Sequence, residues 1–264
     1  MAQENVAQRW QKRFRDLLKE IDGLFADACK TGEVEAIHNL RVALRRARLL
    51  ALAGRPGLGR TSADTFRHQA FQIMELLGGL RDADITLEWL QRHDARRQLT
   101  GRVRARRHHL WRTTAPQMKM LRLFDRADLA AGKLNGAREK KLRRRFNETL
   151  ERFYARLVAD KGQFHHLDME GLHEFRRNLR RWRYLNETLL SRREQKASEP
   201  LSRVIALQDA LGEMQNCDVI RQFLRTLNLP PVEARALDQK LARQQRDWLA
   251  KAGTRLGAVA QFGN

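Results

Sequence analysis

The chain has 264 residues, and 52 Lys and Arg against 31 Asp and Glu give it a formal net charge of +21. Arginine supplies 41 of the 52 basic residues. A chain this basic collects polyanions and is a poor receptor for a cationic substrate. The guanidinium group stays charged and matches phosphate oxygens two at a time, which Lys does not. No window of about 18 apolar residues occurs, so no membrane span is expected. The stretch Met1 to Phe14 is polar and lacks an apolar h-region, so no secretory signal is expected. Cys29 and Cys217 form neither a metal-spaced pair nor a disulfide framework, which fits a reducing cytoplasm.

Helical periodicity runs along nearly the whole chain. Trp10, Phe14, Leu17, Leu18, Ile21 and Phe25 share one face and predict a first helix. A second runs from near Glu33 to about Ala53, where Gly54, Pro56, Gly57 and Gly59 break it. A third is expected after Ser62 as N-cap, carrying Phe66, Ala70, Ile73, Met74 and Leu77. Gly78 and Gly79 interrupt it, and Asp82 or Asp84 is expected to cap a fourth helix through Leu90. A basic helical stretch follows from about 102 to 124, and residues 125–137 read as a linker.

The pattern then starts again. Leu142 to Leu157 echo the first helix, Leu172 to Leu190 the second, Leu201 to Leu211 the third, and Val219 and Leu224 the fourth. Pro230 and Pro231 open a long last helix. HNLRVALRRARLL from His38 aligns with HEFRRNLRRWRYL from His173, and LGGLRDADI from Leu77 aligns with LGEMQNCDV from Leu211. The offsets are 135 and 134 residues. Charge divides as evenly, +11 in residues 1–134 and +10 in 135–264. The chain therefore reads as an all-α protein built by internal duplication, with an N-terminal half over 1–131 and a C-terminal half over 138–264. Each half has about enough helices for a four-helix bundle.

The chemistry concentrates on the second helix of each half. At 100° per residue, His38, Arg41, Arg45 and Arg48 fall within about 80° of arc, opposite Leu40, Ala43, Leu44 and Ala47. His173, Arg176, Arg180 and Arg183 repeat that geometry, opposite Phe175, Leu179, Trp182 and Leu185. Along the axis, Arg41 to Arg48 spans about 10 Å. A solvated helix face usually intersperses carboxylates at i±4 to relieve repulsion. None lies between His38 and Arg48, and only Glu174 between His173 and Arg183. A like-charged row of this kind calls for an anionic ligand. Metal binding is the alternative role for the histidines. The neighbouring arginines repel a cation, so no metal or other cofactor is expected.

In these motifs the sequence resembles the CHAD family, the conserved histidine α-helical domain. The resemblance is carried by His38-x-x-Arg41-x-x-x-Arg45-Arg46-x-Arg48 and LxxLRDADI at 77–85. Its C-terminal counterparts are His173-x-x-Arg176-x-x-x-Arg180-Arg181-x-Arg183-Tyr184 and LQDALGEMQNCDV at 207–219. It covers about residues 5 to 255. It implies two four-helix bundles related by pseudo-twofold symmetry, with a basic cleft or channel between them that holds inorganic polyphosphate. The residues it implies for that site are His38, Arg41, Arg45, Arg46, Arg48, His173, Arg176, Arg177, Arg180, Arg181 and Arg183. Some members carry a CYTH-type triphosphatase domain. Its ExExK motif is absent here, since Glu33-Val-Glu35 is followed by Ile37 where Lys is needed. The second RD pair is also replaced, by Asn216 and Cys217 before Asp218. Asp84 and Asp218 read as helix caps or as groups that orient arginines.

The expected function is binding of polyphosphate without catalysis, in the cytoplasm and in association with polyphosphate granules. A nucleic-acid binder is the alternative, because residues 96–112 and 138–145 are both basic enough. No helix-turn-helix signature or RNP stretch supports it. Phosphoryl transfer is a third class, but no GxxxxGK[ST] loop or repeated carboxylate cluster accompanies the histidines. The sequence assigns no oligomeric state.

Overall fold

The structure is a computed structural model that describes residues 6–93, 96–121, 136–190, 194–195 and 198–259. The chain is all-α, as expected, and no strand occurs among the described residues. In order the helices are α1 (Val6–Thr31), α2 (Val34–Ala53), α3 (Arg55–Leu58), α4 (Arg60–Leu76), α5 (Gly78–Arg92) and α6 (Arg97–Met120). They are followed by α7 (Gly136–Gly162), a 3-10 turn (Phe164–His166), α8 (Met169–Leu189), α9 (Glu199–Arg225) and α10 (Pro231–Ala258). Most of the expected linker, residues 125–135, lies outside the described residues, and Gly136 and Ala137 already belong to α7.

The chain divides into two compact units. One is Met1–Arg81 with Arg106–Leu150, and the other is Asp82–Ala105 with Glu151–Asn264. The units therefore do not follow the repeat in the sequence. Most of α5 and the first turns of α6 count with the second unit, and the first part of α7 with the first.

In the first unit the apolar stripe of α1 packs on α2, and α2 packs on α4. Trp10 stacks on Phe14 at 5.6 Å, and Phe14 meets Phe66 edge-on at 5.6 Å. All three are buried, and each contributes about 1.5–3 kcal/mol relative to an exposed position. The Trp10 indole N–H donates at 2.9 Å to the Leu50 carbonyl, which also accepts from the Gly54 N–H that ends α2. The α1–α2 turn needs a glycine. Gly32 has φ of 63°, and a Cβ there would lie 2.4 Å from Trp111 of α6. Arg107 of α6 donates to the Gly32 carbonyl at 2.7 Å and ties the same turn down.

In the second unit α8 opens on Asp168, whose carboxylate accepts from the Gly171 N–H at 2.8 Å. Phe164 meets Phe175 edge-on at 5.6 Å. The long pair α9 and α10 packs along its length. Trp89 of α5 donates to Gln244 of α10 at 2.7 Å, and the Gln244 amide contacts His93 Nε2 at 2.6 Å.

Three local expectations are corrected. The third helix starts at Arg60 rather than after Ser62, and α5 starts at Gly78, so Asp82 and Asp84 lie inside it and not at its N-cap. Leu77 needs no aspartate to restart the chain, because the Arg81 N–H already reaches back to the Leu77 carbonyl at 3.1 Å. In the second copy the expected third and fourth helices are one continuous helix, α9. Glu213 stands there where the first copy has Gly79, and Glu favours helix where Gly disfavours it.

Candidate functional site

Helix α2 buries the stripe the wheel assigned to the core, including Ile37, Leu40, Leu44 and Ala47. The opposite side is not a simple solvated face. His38 is exposed, but Arg41, Arg45, Arg46 and Arg48 are all half-buried, and Leu49 among them is buried. Two of these arginines reach α4 across the unit. Arg41 donates to the Met74 carbonyl near the end of α4. Arg48 lies over the Phe71 ring at 5.1 Å and reaches the Met74 sulfur at 4.0 Å.

Helix α8 repeats the pattern with different partners. Leu172, Phe175, Leu179, Trp182 and Leu185 are buried, and His173, Arg176, Arg177, Arg180, Arg181 and Arg183 are half-buried. Tyr184 is buried at the position aligned with Leu49. Glu174 gathers two arginines: Arg177 donates to one oxygen and Arg181 lies 3.4 Å from the other. Arg181 also donates to Asn178 at 3.1 Å and covers the Phe153 ring at 5.6 Å. The same pairing holds the Glu174 carboxyl below its ordinary range against the opposing effect of burial. Arg183 pairs with Glu187 at 3.0 Å, with side chains only 12% and 18% exposed. Arg177, Arg181 and Arg183 thus already have carboxylate partners, and an anionic ligand would compete with those carboxylates for them.

Gln215 of α9 fixes the protonation state of His173. Arg176 can only donate, so the Gln215 oxygen must face it, at 2.8 Å. The Gln215 amide then turns toward His173 and donates to Nδ1. With Nδ1 accepting, the imidazole is neutral and carries its proton on Nε2. Burial pushes the His173 pKa down, and the charge of Arg177 adds to that effect. Gln215 aligns with Arg81 of the first copy, a side chain with no acceptor. The corresponding arginine, Arg41, takes a backbone carbonyl instead.

This geometry makes a specific titration expected. NMR titration should find the His173 pKa below its ordinary value and the Nε2–H tautomer above it. Because the folded pKa is depressed, the contribution of neutral His173 to stability is complete above about pH 6.5, the unfolded value, and is lost as pH falls through the folded pKa. Gln215→Glu should reverse the shift, since a carboxylate would accept a proton from Nδ1. An unchanged titration in that variant would show that Gln215 does not set the tautomer.

Of the two aspartates in the second motif, Asp218 orients an arginine, bonding Arg221 within α9 at 2.8 Å. Asp84 is buried inside α5, and neither residue caps a helix. Among the described residues no group of three His, Cys, Asp or Glu stands close enough to hold a metal ion. Burial pushes the Cys217 thiol up to about 11 and raises that of Cys29 as well, so neither offers a thiolate nucleophile. Among the described residues no helix is long and apolar enough to cross a membrane.

Fold and rows together define a class of all-helical proteins built on a repeated His–Arg helix. The chain belongs to the CHAD domain family, whose family model matches residues 8–225. Its fold is similar to the crystal structure of the CHAD domain from the plant Ricinus communis, with a TM-score of 0.65 and 17% identity over 98% of this chain and 91% of that one. It is also similar to PptA from Streptomyces chartreusis, with a TM-score of 0.60 and 16% identity over 96% and 99% of the two chains. No curated protein matches the chain.

Proposed function

We propose that this protein binds inorganic polyphosphate on the His–Arg rows of α2 and α8 and does not turn it over. The observation that carries this reading is a set of four half-buried arginines at matched positions on each of two helices. Crowding like charges while partly withdrawing them from water is costly; Glu174 and Glu187 offset part of that cost on α8, and an anionic ligand offsets the rest. Polyphosphate presents repeated anionic oxygens with no bases and no fixed shape. Guanidinium forks at helical intervals suit it, and released counterions add to affinity. Arg45 has no ion pair among the described residues and is the most available cation of the first row. His173 would contribute its Nε2–H as a neutral donor, and His38 a second imidazole. Membership in the CHAD family supports the same ligand class, and the cytoplasm with its polyphosphate granules is the setting that suits it.

A nucleic-acid reading has one observation in its favour. Helix α6 carries seven Lys and Arg and no carboxylate. Competition between long-chain polyphosphate and DNA or RNA, at equal phosphate and equal salt, separates the two readings. Polyphosphate is expected to win, and preference for nucleic acid would overturn the proposal. Incubation of polyphosphate with the protein and Mg²⁺ or Mn²⁺ should release no phosphate above the protein-free rate. Release that depends on His38 would make the protein an enzyme.

A further inference from the structure

The last turns of α9 and the first turns of α10 flank a half-open cavity of about 480 Å³ within the second unit. The His–Arg row does not contribute to it. Leu224, Leu229, Leu237 and Leu241 supply the apolar part of its lining, and Leu224 and Leu241 are themselves buried. A concave site of several hundred Å³ whose lining mixes apolar and charged groups in similar measure suits a small molecule that carries both kinds of surface. Much of its wall, from Leu229 onward, lies beyond the residues that the family model matches.

The arginines lining the cavity are of two kinds. Arg221 is held in place, 2.8 Å from Asp218 and 2.7 Å from Asp238. Arg225 and Arg235 are exposed, and neither has an ion pair among the described residues. One arginine is thus neutralised by carboxylates while two remain charged beside four leucines. Bare polyphosphate would gain nothing from the leucines, and an uncharged hydrocarbon would gain nothing from the guanidiniums.

We propose that this cavity binds a small anion with an apolar body. A single phosphate, sulfonate or carboxylate head would pair with Arg225 and Arg235. A ring system or a short acyl chain would lie on the leucines, where each square ångström of apolar surface removed from water favours binding.

The probes are 8-anilinonaphthalene-1-sulfonate, decyl phosphate and inorganic phosphate, used on the full chain. The naphthalene sulfonate is expected to bind with enhanced fluorescence. Arg225→Ala with Arg235→Ala should weaken it about tenfold or more, the size of one lost charge-assisted contact or greater. Leu237→Trp, which fills the cavity and leaves the charges, should abolish it. Arg243→Ala with Arg246→Ala, on α10 outside the cavity, should leave it unchanged. Displacement by decyl phosphate assigns the body to an acyl chain, and retention assigns it to a ring system. Equal affinity in the Arg225/Arg235 variant and the wild type overturns the proposal. So does displacement by inorganic phosphate at the concentration where decyl phosphate acts. The arginine pair lies on the surface, so its variant keeps the test valid even where Leu237→Trp perturbs the fold.

Discussion

Replacing Arg45 and Arg180 together by Glu is expected to weaken binding of long-chain polyphosphate about 100-fold or more at fixed salt. Hydrogen bonds to charged groups are each worth about 1.5–3 kcal/mol, and two are removed while two repulsive charges are added. Because about 1.4 kcal/mol is a factor of ten, the loss is well within reach of a titration. The two residues stand at the same place on α2 and α8, and both are half-buried. The matched control is Arg104→Glu with Arg106→Glu, two exposed residues of α6, expected to cost less than about fivefold because exposed charges act through a screened field. Arg107 is unsuitable for that control, since it holds the α1–α2 turn through the Gly32 carbonyl. Equal losses in the row and in α6 would leave only a diffuse basic surface.

The helices and their buried stripes were legible in the sequence because burial imposes a 3.6-residue period. Ile37, Leu40 and Leu44 on α2, and Phe175 and Leu179 on α8, fall where the wheel put them. The rows were legible for the same reason, since the charged positions keep the complementary phase. Their partners were not. Arg41 bonds a backbone carbonyl, and no side-chain pattern announces that. Gln215 meets His173 and Arg176 from 42 and 39 residues away, a separation that only the packing of α8 on α9 closes. The matched LGGLRDADI and LGEMQNCDV segments set it opposite Arg81, but nothing in that pairing pointed to its role. Glu187 was within reach of sequence reasoning. It lies four residues after Arg183, the spacing of a helical ion pair. The break at Leu77 and the continuity of α9 differ by about 1 kcal/mol of helix propensity per glycine, too small for pattern alone to decide.

Gly54→Ala should destabilise the protein by about 2–4 kcal/mol, at or above the upper range for overpacking a core by one methyl group. Nothing in the backbone demands glycine there, since φ is −87° and ψ is 8°, a conformation open to any residue. The demand is steric. A Cβ at Gly54 would lie 2.0 Å from Cζ2 of Trp10 and 2.2 Å from Cε2, inside any permitted contact. Trp10 cannot easily retreat. It is fully buried, stacked on Phe14, and tied through its indole N–H to the Leu50 carbonyl. The clash therefore displaces either the ring or the end of α2, the helix that carries the first His–Arg row. Thermal melts should report a fall of roughly 4–16 °C, at about 2–4 °C per kcal/mol for a chain of this size. Trp10→Phe supplies the decisive comparison. It loses the indole bond and some buried area, and it also withdraws the part of the indole that a Cβ would strike. Gly54→Ala should then cost much less in the Trp10→Phe background than in the wild type, giving a coupling energy of about 1–3 kcal/mol. Additive costs would mean that the Trp10 contact does not set the requirement for glycine at position 54.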